Sequence, residues 1–524
     1  MVHEQGFRSH LIALSVVLFI ATGLRVYQLR DSLWVDELHT SWCVEGTWSD
    51  VAPRAKSGNQ SPLFFYLPKL SIAVLGDNEI GLRLPSLVAG VLVVALVYGL
   101  IAYLTNDVAS ALLGSFLAAI DSSLIFYAQE ARPYAWVELL GGLHIASGWR
   151  LCEAPRGRWL FAFIASWLLA FYLHYTAALL LAADWVLLLM LVFSQRQRLT
   201  SFLYGCQVLG LMAGGTILAW PQLRDIFARR KNWTEFVEPM PIWNIFQLLP
   251  LDFYLLLPLL VVGVMMLIGR NVNATVERAM SQCRPFAVLA IWFFVPVLIA
   301  WSLTTTHVAA IFSLRYLNVV VAVPFIGAGL IVSCLPTARL RAVSAITIAV
   351  LATYGAGIVQ QLLSDGRIIA DRRENWREAV RFINQQNPPL DGPLFLFPNL
   401  IEDHELQTFP TPALEEYCLF PLGGMYKIRN ENSRRYPFPA SGDLQFTAEQ
   451  QADVRHHGGA WLMVRGTSEF AESIERAVLS SDNGIDLLLR PESQAEFGNV
   501  TITRLKRVPT GKATTISPLA PPEK

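Results

Sequence analysis

Long apolar runs separated by short polar segments dominate about the first 365 residues of the chain. The runs 84–104, 159–172 and 248–268 each approach the roughly 20 apolar residues that a helix needs to cross the hydrocarbon core of a bilayer. The pattern predicts about eleven transmembrane helices. They lie at about 10–29, 82–104, 108–127, 133–151, 158–173, 175–194, 203–220, 246–269, 285–303, 316–335 and 340–361.

The first apolar run, 11–24, is preceded by a single nearby arginine, Arg8, and has no small-residue cleavage site. A cleaved signal peptide normally has a stronger basic lead and such a site. We therefore expect this run to be retained as the first helix. The helical domain is predicted to cover residues 1–364, with a long first outer loop at about 30–80.

The remainder of the chain alternates helix and strand patterns. Residues 375–386 form an amphipathic helical pattern with Trp376, Val380 and Ile383 on one side. A strand at 392–398 is followed by a strand at 459–464, a helix at 470–479 and a strand at 499–506. This order predicts a small α/β domain over residues 365–509. Residues 510–524 have the composition of a disordered tail.

The arginines predict the orientation of the chain, because short cytoplasmic loops carry an excess of Lys and Arg. With a cytoplasmic N-terminus, the inner loops hold Arg150, Arg156 and Arg158, then Arg196 and Arg198, then Arg270, Arg278 and Arg284, then Arg339 and Arg341. An odd number of spans then places the α/β domain outside. We expect a multi-pass protein of the inner (plasma) membrane.

One predicted outer loop, 221–244, departs from this charge rule. It carries Arg224, Arg229, Arg230 and Lys231. Two explanations stay open with about even weight, namely an anion-binding loop and a solvated charge run at the membrane surface.

Composition supports the membrane prediction and limits the partners. Of 524 residues, 53% are hydrophobic and 16% are charged, whereas soluble proteins carry about 25% charged residues. The formal net charge is zero, so nothing favours nucleic acid. Of the six cysteines, Cys43 and Cys418 fall on the predicted outer side, where a disulfide is one alternative and two free thiols are the favoured one.

Asp36 and Glu37 directly follow the first predicted span and form the first candidate site. A carboxylate at a membrane boundary faces low dielectric on one side, which raises its pKa and favours general-base chemistry. Acidic residues at helix ends are also common without any catalytic role. The pair is therefore a candidate whose meaning depends on its surroundings.

The turn between the third and fourth predicted spans is the second candidate. It holds Tyr127, Glu130, Arg132 and Tyr134 within eight residues, and arginine is a natural partner of phosphate oxygens. The structural alternative is a Glu130–Arg132 pair flanked by tyrosines of an interfacial belt.

Three further residues at the predicted outer face are candidates. Arg315 opens a span, where an arginine often only extends its charged end to the membrane surface. His174 and Tyr175 form a turn with almost no loop, where interfacial packing is the usual role. The sequence has no metal-ligand spacing and no phosphate-binding glycine loop. It therefore predicts no cofactor; a divalent metal stays an open alternative without support from the sequence.

The motifs follow one another in a recognisable order: Trp34-Val35-Asp36-Glu37, Ser61-Pro62-Leu63-Phe64-Phe65-Tyr66, Gly81-Leu82-Arg83-Leu84-Pro85-Ser86, Tyr127-Ala128-Gln129-Glu130-Ala131-Arg132-Pro133-Tyr134, His174-Tyr175 and Arg315-Tyr316-Leu317. This order, over about residues 8–360, resembles the bacterial GT-C glycosyltransferases. Within them it resembles the family 39 and aminoarabinose-transferase-like branch, which is related to the protein O-mannosyltransferases.

The resemblance implies a transferase that moves a sugar from a polyprenyl-phosphate donor to an acceptor hydroxyl on the extracytoplasmic side. By this analogy Asp36 is the general base, Glu37 supports it, and Arg132 holds the donor phosphate, together with Arg229, Arg230, Lys231 and Arg315. Relatives often have His or Lys just before the Pro-Leu turn, whereas this chain has Gln60 and Ser61. A cationic phosphate contact from that position is therefore in doubt.

Two other functions stay open at this point. A transporter or flippase of a sugar-lipid would need ionisable residues within spans, and Asp184 is the one good mid-span acid in the sequence. A non-catalytic membrane protein that binds envelope glycans is the other alternative. The sequence leaves the sugar open, and the acceptor is a lipid, a polysaccharide or a protein.

Overall fold

The structure, a computed structural model, describes residues 2–194, 198–228, 239–269, 272–355, 357–386, 392–406, 410–430, 433–439, 444–480 and 488–508. The chain divides into two compact units. We call Met1–Asp31 with Gly46–Asp371 the helical unit, and Ser32–Glu45 with Arg372–Lys524 the α/β unit. Residues 30–80 are predicted as one outer loop, whereas the structure divides this stretch between the two units.

Helices form the regular structure up to residue 365, and all of them except α2 belong to the helical unit. They are α1 (Val2–Val26), α2 (Val35–Val44), α3 (Val51–Ser57), α4 (Tyr66–Leu75), α5 (Glu79–Thr105), α6 (Val108–Ile120), α7 (Ser122–Ala128), α8 (Tyr134–Glu153), α9 (Gly157–Leu173), α10 (Ala178–Ser194), α11 (Arg198–Gly215), α12 (Trp220–Ala228), α13 (Ile245–Leu248), α14 (Leu257–Gly269), α15 (Val272–Ser281), α16 (Cys283–Thr305), α17 (Leu314–Leu317), α18 (Ala322–Ser333), α19 (Ala338–Gly355) and α20 (Ile358–Asp365).

Several of these helices are long and apolar enough to cross a membrane. Among the described residues, five single segments meet both conditions, and three bent helix pairs would raise this number to eight if each pair is one span. The five are Arg8–Val26, Glu79–Thr105, Phe202–Ala228, Cys283–Thr305 and Ala338–Asp365. Each of the eleven predicted segments overlaps a helix of the structure. The polytopic helical class is confirmed, and the number of eleven spans stays a prediction.

The predicted span 108–127 is broken into α6 and α7, which meet at an angle of 62°. Asp121 lies at the break in extended backbone, and its Oδ1 accepts a hydrogen bond from the Leu124 N–H at 2.8 Å. A carboxylate in this position satisfies an N–H group that has no partner within a new helix. The capping by Asp121 is therefore a local cause of the break, and the pattern of apolar residues does not indicate it.

Small residues let helices of this unit approach each other closely. A Cβ atom on Gly141 of α8 would lie 2.2 Å from the carbonyl oxygen of Val319. A Cβ atom on Gly114 of α6 would lie 2.6 Å from that of Phe325 in α18. Because apolar burial provides little drive between helices in lipid, such close contacts supply much of the association.

The α/β unit contains a five-stranded mixed sheet in the order β2-β1-β3-β5-β4. β1 pairs in parallel with β2 and β3, and β5 pairs antiparallel with β3 and β4. The strands are β1 (Leu394–Phe397), β2 (Arg435–Pro437), β3 (Gly459–Arg465), β4 (Leu489–Glu496) and β5 (Val500–Arg507), and the helices are α21 (Trp376–Asn384), α22 (Pro412–Cys418), α23 (Ala448–His457) and α24 (Ser468–Ser480).

The core of this unit packs apolar residues of alternate strand positions, such as Phe395, Phe397, Leu462, Val464 and Leu505. The predicted small α/β domain is confirmed. Each helix and strand that the sequence predicts between residues 375 and 506 is present. β2, β4, α22 and α23 were not predicted, and the proposed tail 510–524 lies outside the described residues.

Candidate functional site

The first turn of α2, which carries Asp36 and Glu37, is anchored within the α/β unit by Glu374. The Glu374 carboxylate accepts hydrogen bonds from the Val35 N–H at 2.9 Å, from Trp376 Nε1 at 2.8 Å and from Arg465 Nε at 2.8 Å. Trp34 precedes α2 and gives no side-chain cap. Glu374, distant in sequence, takes the place of a local capping residue.

The two adjacent carboxylates of α2 have different environments. Glu37 is fully buried, and its Oε2 accepts a hydrogen bond from Arg372 Nη1 at 2.5 Å. Asp36 is half-buried. A buried ion pair of this kind fixes its own geometry. Of the two, Asp36 is therefore the more accessible to a substrate.

The remainder of α2 packs against aromatic residues of the same unit. The ring of His39 lies 5.8 Å from that of Tyr417 and 5.3 Å from that of Phe420. Cys43 and Cys418, for which the sequence left a disulfide open, are both buried free thiols. The favoured alternative of two free thiols is confirmed.

In the helical unit, the turn between α7 and α8 is held by hydrogen bonds from two other helices. Ser86 of α5 donates its hydroxyl to the Arg132 carbonyl oxygen at 3.0 Å. Gln129 donates its Nε2 to the Leu24 carbonyl oxygen of α1 at 3.1 Å. The Arg132 N–H bonds the Glu130 carbonyl oxygen at 2.7 Å. Glu130 and Arg132 are both buried.

Four rings from separate segments form an aromatic cluster beside this turn: Tyr127, Tyr134, His174 and Tyr316. Ring centroids are 5.0 Å apart for Tyr127 and Tyr134, 5.7 Å for Tyr134 and His174, and 5.7 Å for His174 and Tyr316. Aromatic pairs at such separations stabilise one another. The structure thus brings together three of the predicted site residues. It adds Tyr316, whose signal in the sequence was its position next to Arg315.

Two guanidinium groups influence the histidine of this cluster. Burial and the positive charges of Arg132 and Arg315 together lower the pKa of His174 to about 3. The ring is therefore neutral at pH 7, and its Nδ1 lies 2.7 Å from the Thr176 hydroxyl. Arg132 is buried and Arg315 is exposed. Two arginines beside neutral aromatic groups form a local positive site suited to an oxyanion.

Tyr175 takes part in a different contact from its neighbour His174. Its hydroxyl donates to Gln222 Oε1 of α12 at 2.7 Å, and Gln222 Nε2 donates to the Gln60 carbonyl oxygen at 2.7 Å. Neutral amide and hydroxyl groups thus surround the position where relatives often carry His or Lys. Gln222 was not predicted as a site residue, because a lone glutamine at a helix start forms no motif.

The predicted basic loop is described only in part. Arg224 is exposed and lies 3.5 Å from Asp225, whereas Arg229, Arg230 and Lys231 lie outside the described residues. Among the residues that the structure describes, no group of three or more His, Cys, Asp or Glu side chains is placed to hold a metal ion.

Solved structures resemble this chain over almost its whole length. The crystal structure of ArnT from Cupriavidus metallidurans in the apo state matches with a TM-score of 0.53, covering 96% of this chain and 98% of that chain at 11% sequence identity. The chain has the GT-C membrane fold. A second structure, ArnT from the same organism bound to undecaprenyl phosphate, matches with a TM-score of 0.50 at 11% identity and covers 94% of this chain and 97% of that chain.

A sequence comparison adds a family that shares the GT-C fold. The family described as dolichyl-phosphate-mannose-protein mannosyltransferase matches residues 59–220, which include Arg132, His174 and Tyr175. No curated protein sequence matches the chain. The resemblance stated from the sequence motifs is confirmed, and the matched family and structures are those of glycosyltransferases acting within membranes.

Proposed function

We propose that this protein is a membrane glycosyltransferase that transfers a sugar from a polyprenyl-phosphate donor to an acceptor hydroxyl on the extracytoplasmic side of the membrane. The observation that carries the proposal is the pair of arginines, Arg132 and Arg315, that face the neutral His174 in the aromatic cluster of a GT-C fold. Undecaprenyl phosphate bound to a structure of the same fold supports the donor class.

In the proposed reaction the donor phosphate is the leaving group. The bond between the anomeric carbon and the phosphate oxygen breaks, and its electron pair leaves with the phosphate. Guanidinium groups stabilise this developing charge by paired hydrogen bonds. Arg132 is preorganised by the Ser86 and Gln129 contacts of its turn, so it supplies this stabilisation at little reorganisation cost.

Asp36 is the proposed general base. It accepts the proton of the acceptor hydroxyl as the new bond forms between that oxygen and the anomeric carbon, on the face opposite the phosphate. Direct displacement of this kind inverts the anomeric configuration. Glu37, held by Arg372, supports the first turn of α2 and does not take the proton.

A sugar-lipid transporter would also need ionisable groups buried within spans. His144 and Asp184 are such a pair, with Nε2 and Oδ2 3.0 Å apart. However, His144 Nδ1 also bonds the Phe163 carbonyl oxygen at 3.0 Å, and Trp292 Nε1 donates to Asp184 at 2.9 Å. A fully hydrogen-bonded pair that ties helices together has a structural explanation, so the transferase is the better-supported function.

Turnover of a labelled donor tests the proposal. Purified protein in nanodiscs is supplied with polyprenyl-phosphate sugars and candidate lipid, polysaccharide and peptide acceptors. We expect release of polyprenyl phosphate together with a labelled acceptor of inverted configuration. Movement of the donor across liposome membranes without any cleavage would instead support the transporter and reject the transferase.

A topology experiment tests the predicted orientation. We expect protease added to intact spheroplasts to remove residues from about 365 onward, because the arginine-bearing short loops belong to the cytoplasmic face. Inverted membrane vesicles serve as the control, in which the same residues should be protected. Cleavage in the vesicles and protection in the spheroplasts would contradict both the orientation and the extracytoplasmic reaction.

A further inference from the structure

Arg25 lies near the end of the apolar helix α1 and is completely buried within the helical unit. An arginine inside a membrane-spanning segment is costly to bury, and such residues usually serve a specific purpose. The reaction proposed above gives Arg25 no role, since its hydrogen bonds go to backbone carbonyl groups of α1 and α6.

The guanidinium of Arg25 caps the end of α6. Its Nη1 donates to the Ala119 carbonyl oxygen at 3.0 Å, and its Nη2 donates to the Ala118 carbonyl oxygen at 3.1 Å. A third hydrogen bond, to the Ala21 carbonyl oxygen at 3.2 Å, fixes the side chain to its own helix. The last carbonyl groups of a helix lack partners within that helix, and a cation there is favoured by the helix dipole.

The opposite side of the same break is held by Asp121. It caps the first turn of α7 and also accepts a hydrogen bond from the Tyr254 hydroxyl. Arg25 and Asp121 attract each other electrostatically. The 62° change of direction between α6 and α7 is thus maintained from both sides, by a cation from α1 and an anion at the break itself.

The direction of α7 determines where the Glu130–Arg132 turn lies. α7 is only seven residues long and leads directly into that turn. Ala128 packs closely against α5, since a Cβ atom on Gly90 would lie 2.4 Å from the Ala128 Cβ. Gln129 bonds the carbonyl oxygen of Leu24, the residue next to Arg25. A change at the break would therefore move Arg132 and Tyr127.

Glu138 is a second buried acid that attracts Arg25 electrostatically. It lies on α8 one turn after Tyr134. Neither of its carboxylate oxygens has a hydrogen-bond partner among the described residues. Glu138 therefore acts on Arg25 through its charge and not through a hydrogen bond.

We propose that Arg25 is a positioning residue for the donor site. Its guanidinium holds the α6–α7 break and thereby places Arg132 and the aromatic cluster, while Glu138 balances its charge. The catalytic consequence rests on the proposed glycosyltransferase function, whereas the placement of the turn does not.

Two variants and their combination separate positioning from charge balance. Arg25→Met removes the positive charge near Glu138 and Asp121 together with the cap on α6, so we expect a lower melting temperature. Glu138→Gln leaves Asp121 as the acid that balances Arg25 and should lower the melting temperature less. The double variant also neutralises one of the two acids near the lost charge, so it should recover part of that stability. It still lacks the cap on α6, so hydrogen exchange of the amides of residues 122–133 in nanodiscs should be faster than in the wild type. Turnover should fall about 100-fold, since small displacements of a site have effects of that order.

The far end of α6 offers a matched control. There Arg341 Nε bonds Asp107 Oδ1 at 2.8 Å, and Asp107 caps the helix. The double variant Arg341→Met with Asp107→Asn removes this ion pair but keeps a capping side chain. We expect wild-type exchange at residues 122–133 and wild-type turnover.

Arg25→Lys keeps the positive charge of Arg25 but cannot reach the carbonyl groups of both Ala118 and Ala119. This variant should therefore fold, and its amides at residues 122–133 should exchange faster than in the wild type. It keeps the proposal testable if Arg25→Met is too unstable to be purified.

Wild-type exchange and turnover in the Arg25→Met, Glu138→Gln double variant would overturn the positioning role. A double variant that melts no higher than Arg25→Met would overturn the charge balance by Glu138. Absence of turnover in the wild-type protein with every donor would reject the proposed function alone, because the exchange measurement still decides whether Arg25 places the turn.

Discussion

Replacing Asp36 by Asn should lower turnover by about 10²–10⁴-fold, the usual effect of losing a general base. Asn keeps the size of the side chain and can still bond neighbouring groups, but it does not accept a proton at neutral pH. Asp36 is half-buried at the first turn of α2, and Glu374 anchors that turn independently of it. The variant should therefore insert and fold like the wild type. The measurement is the initial rate per folded molecule, together with the melting temperature.

Glu37→Gln provides the comparison for this experiment. It removes the negative charge that Arg372 bonds at 2.5 Å, and breaking a buried ion pair typically costs about 3–5 kcal/mol of stability. We expect a clear loss of stability, with a smaller effect on the rate per folded molecule than that of Asp36→Asn. If Glu37→Gln abolished turnover while Asp36→Asn retained it, the base would be Glu37.

Replacing Arg132 by Lys should also cause a large fall in turnover. Lysine keeps the positive charge but loses the planar fork that binds two phosphate oxygens at once. The turn around Arg132 is fixed through Ser86 and Gln129, so the shorter reach and single point of contact of lysine cannot be compensated by movement of the backbone. Initial rates over a range of donor concentrations separate weaker binding from slower chemistry.

The controls for Arg132 lie at two other places in the chain. Arg156→Lys changes an exposed arginine next to α9 and should leave turnover unchanged. Neutralising Arg229, Arg230 or Lys231 singly should mainly weaken donor binding, by about 1 kcal/mol each for a charge near the membrane surface. Each variant should therefore need a higher donor concentration for the same rate. Wild-type behaviour of Arg132→Lys, combined with loss of turnover in one loop variant, would show that the loop holds the phosphate.

Local patterns in the sequence were sufficient for most of the secondary structure and for the class of fold. Apolar runs of membrane-spanning length predicted the helical segments, because the hydrocarbon core requires them whatever the neighbouring helices are. The amphipathic period of 375–386 predicted α21, whose Trp376, Val380 and Ile383 are buried. The order of short motifs was enough to identify the GT-C resemblance, since each motif lies within a few consecutive residues.

The sequence by itself therefore determined the apolar spans, the α/β domain and the candidate residues, all of which depend on neighbours close in the chain. Only the tertiary structure decided which candidates come together and what each contacts. Glu37 pairs with Arg372 across 335 residues. The aromatic cluster joins Tyr127 and Tyr134 to His174 and Tyr316. At the break between α6 and α7, Arg25 bonds the Ala119 carbonyl oxygen and Tyr254 bonds Asp121. Contacts between residues so far apart in the sequence arise from helix packing and from hydrogen bonding of buried polar groups. No periodicity along the chain predicts them.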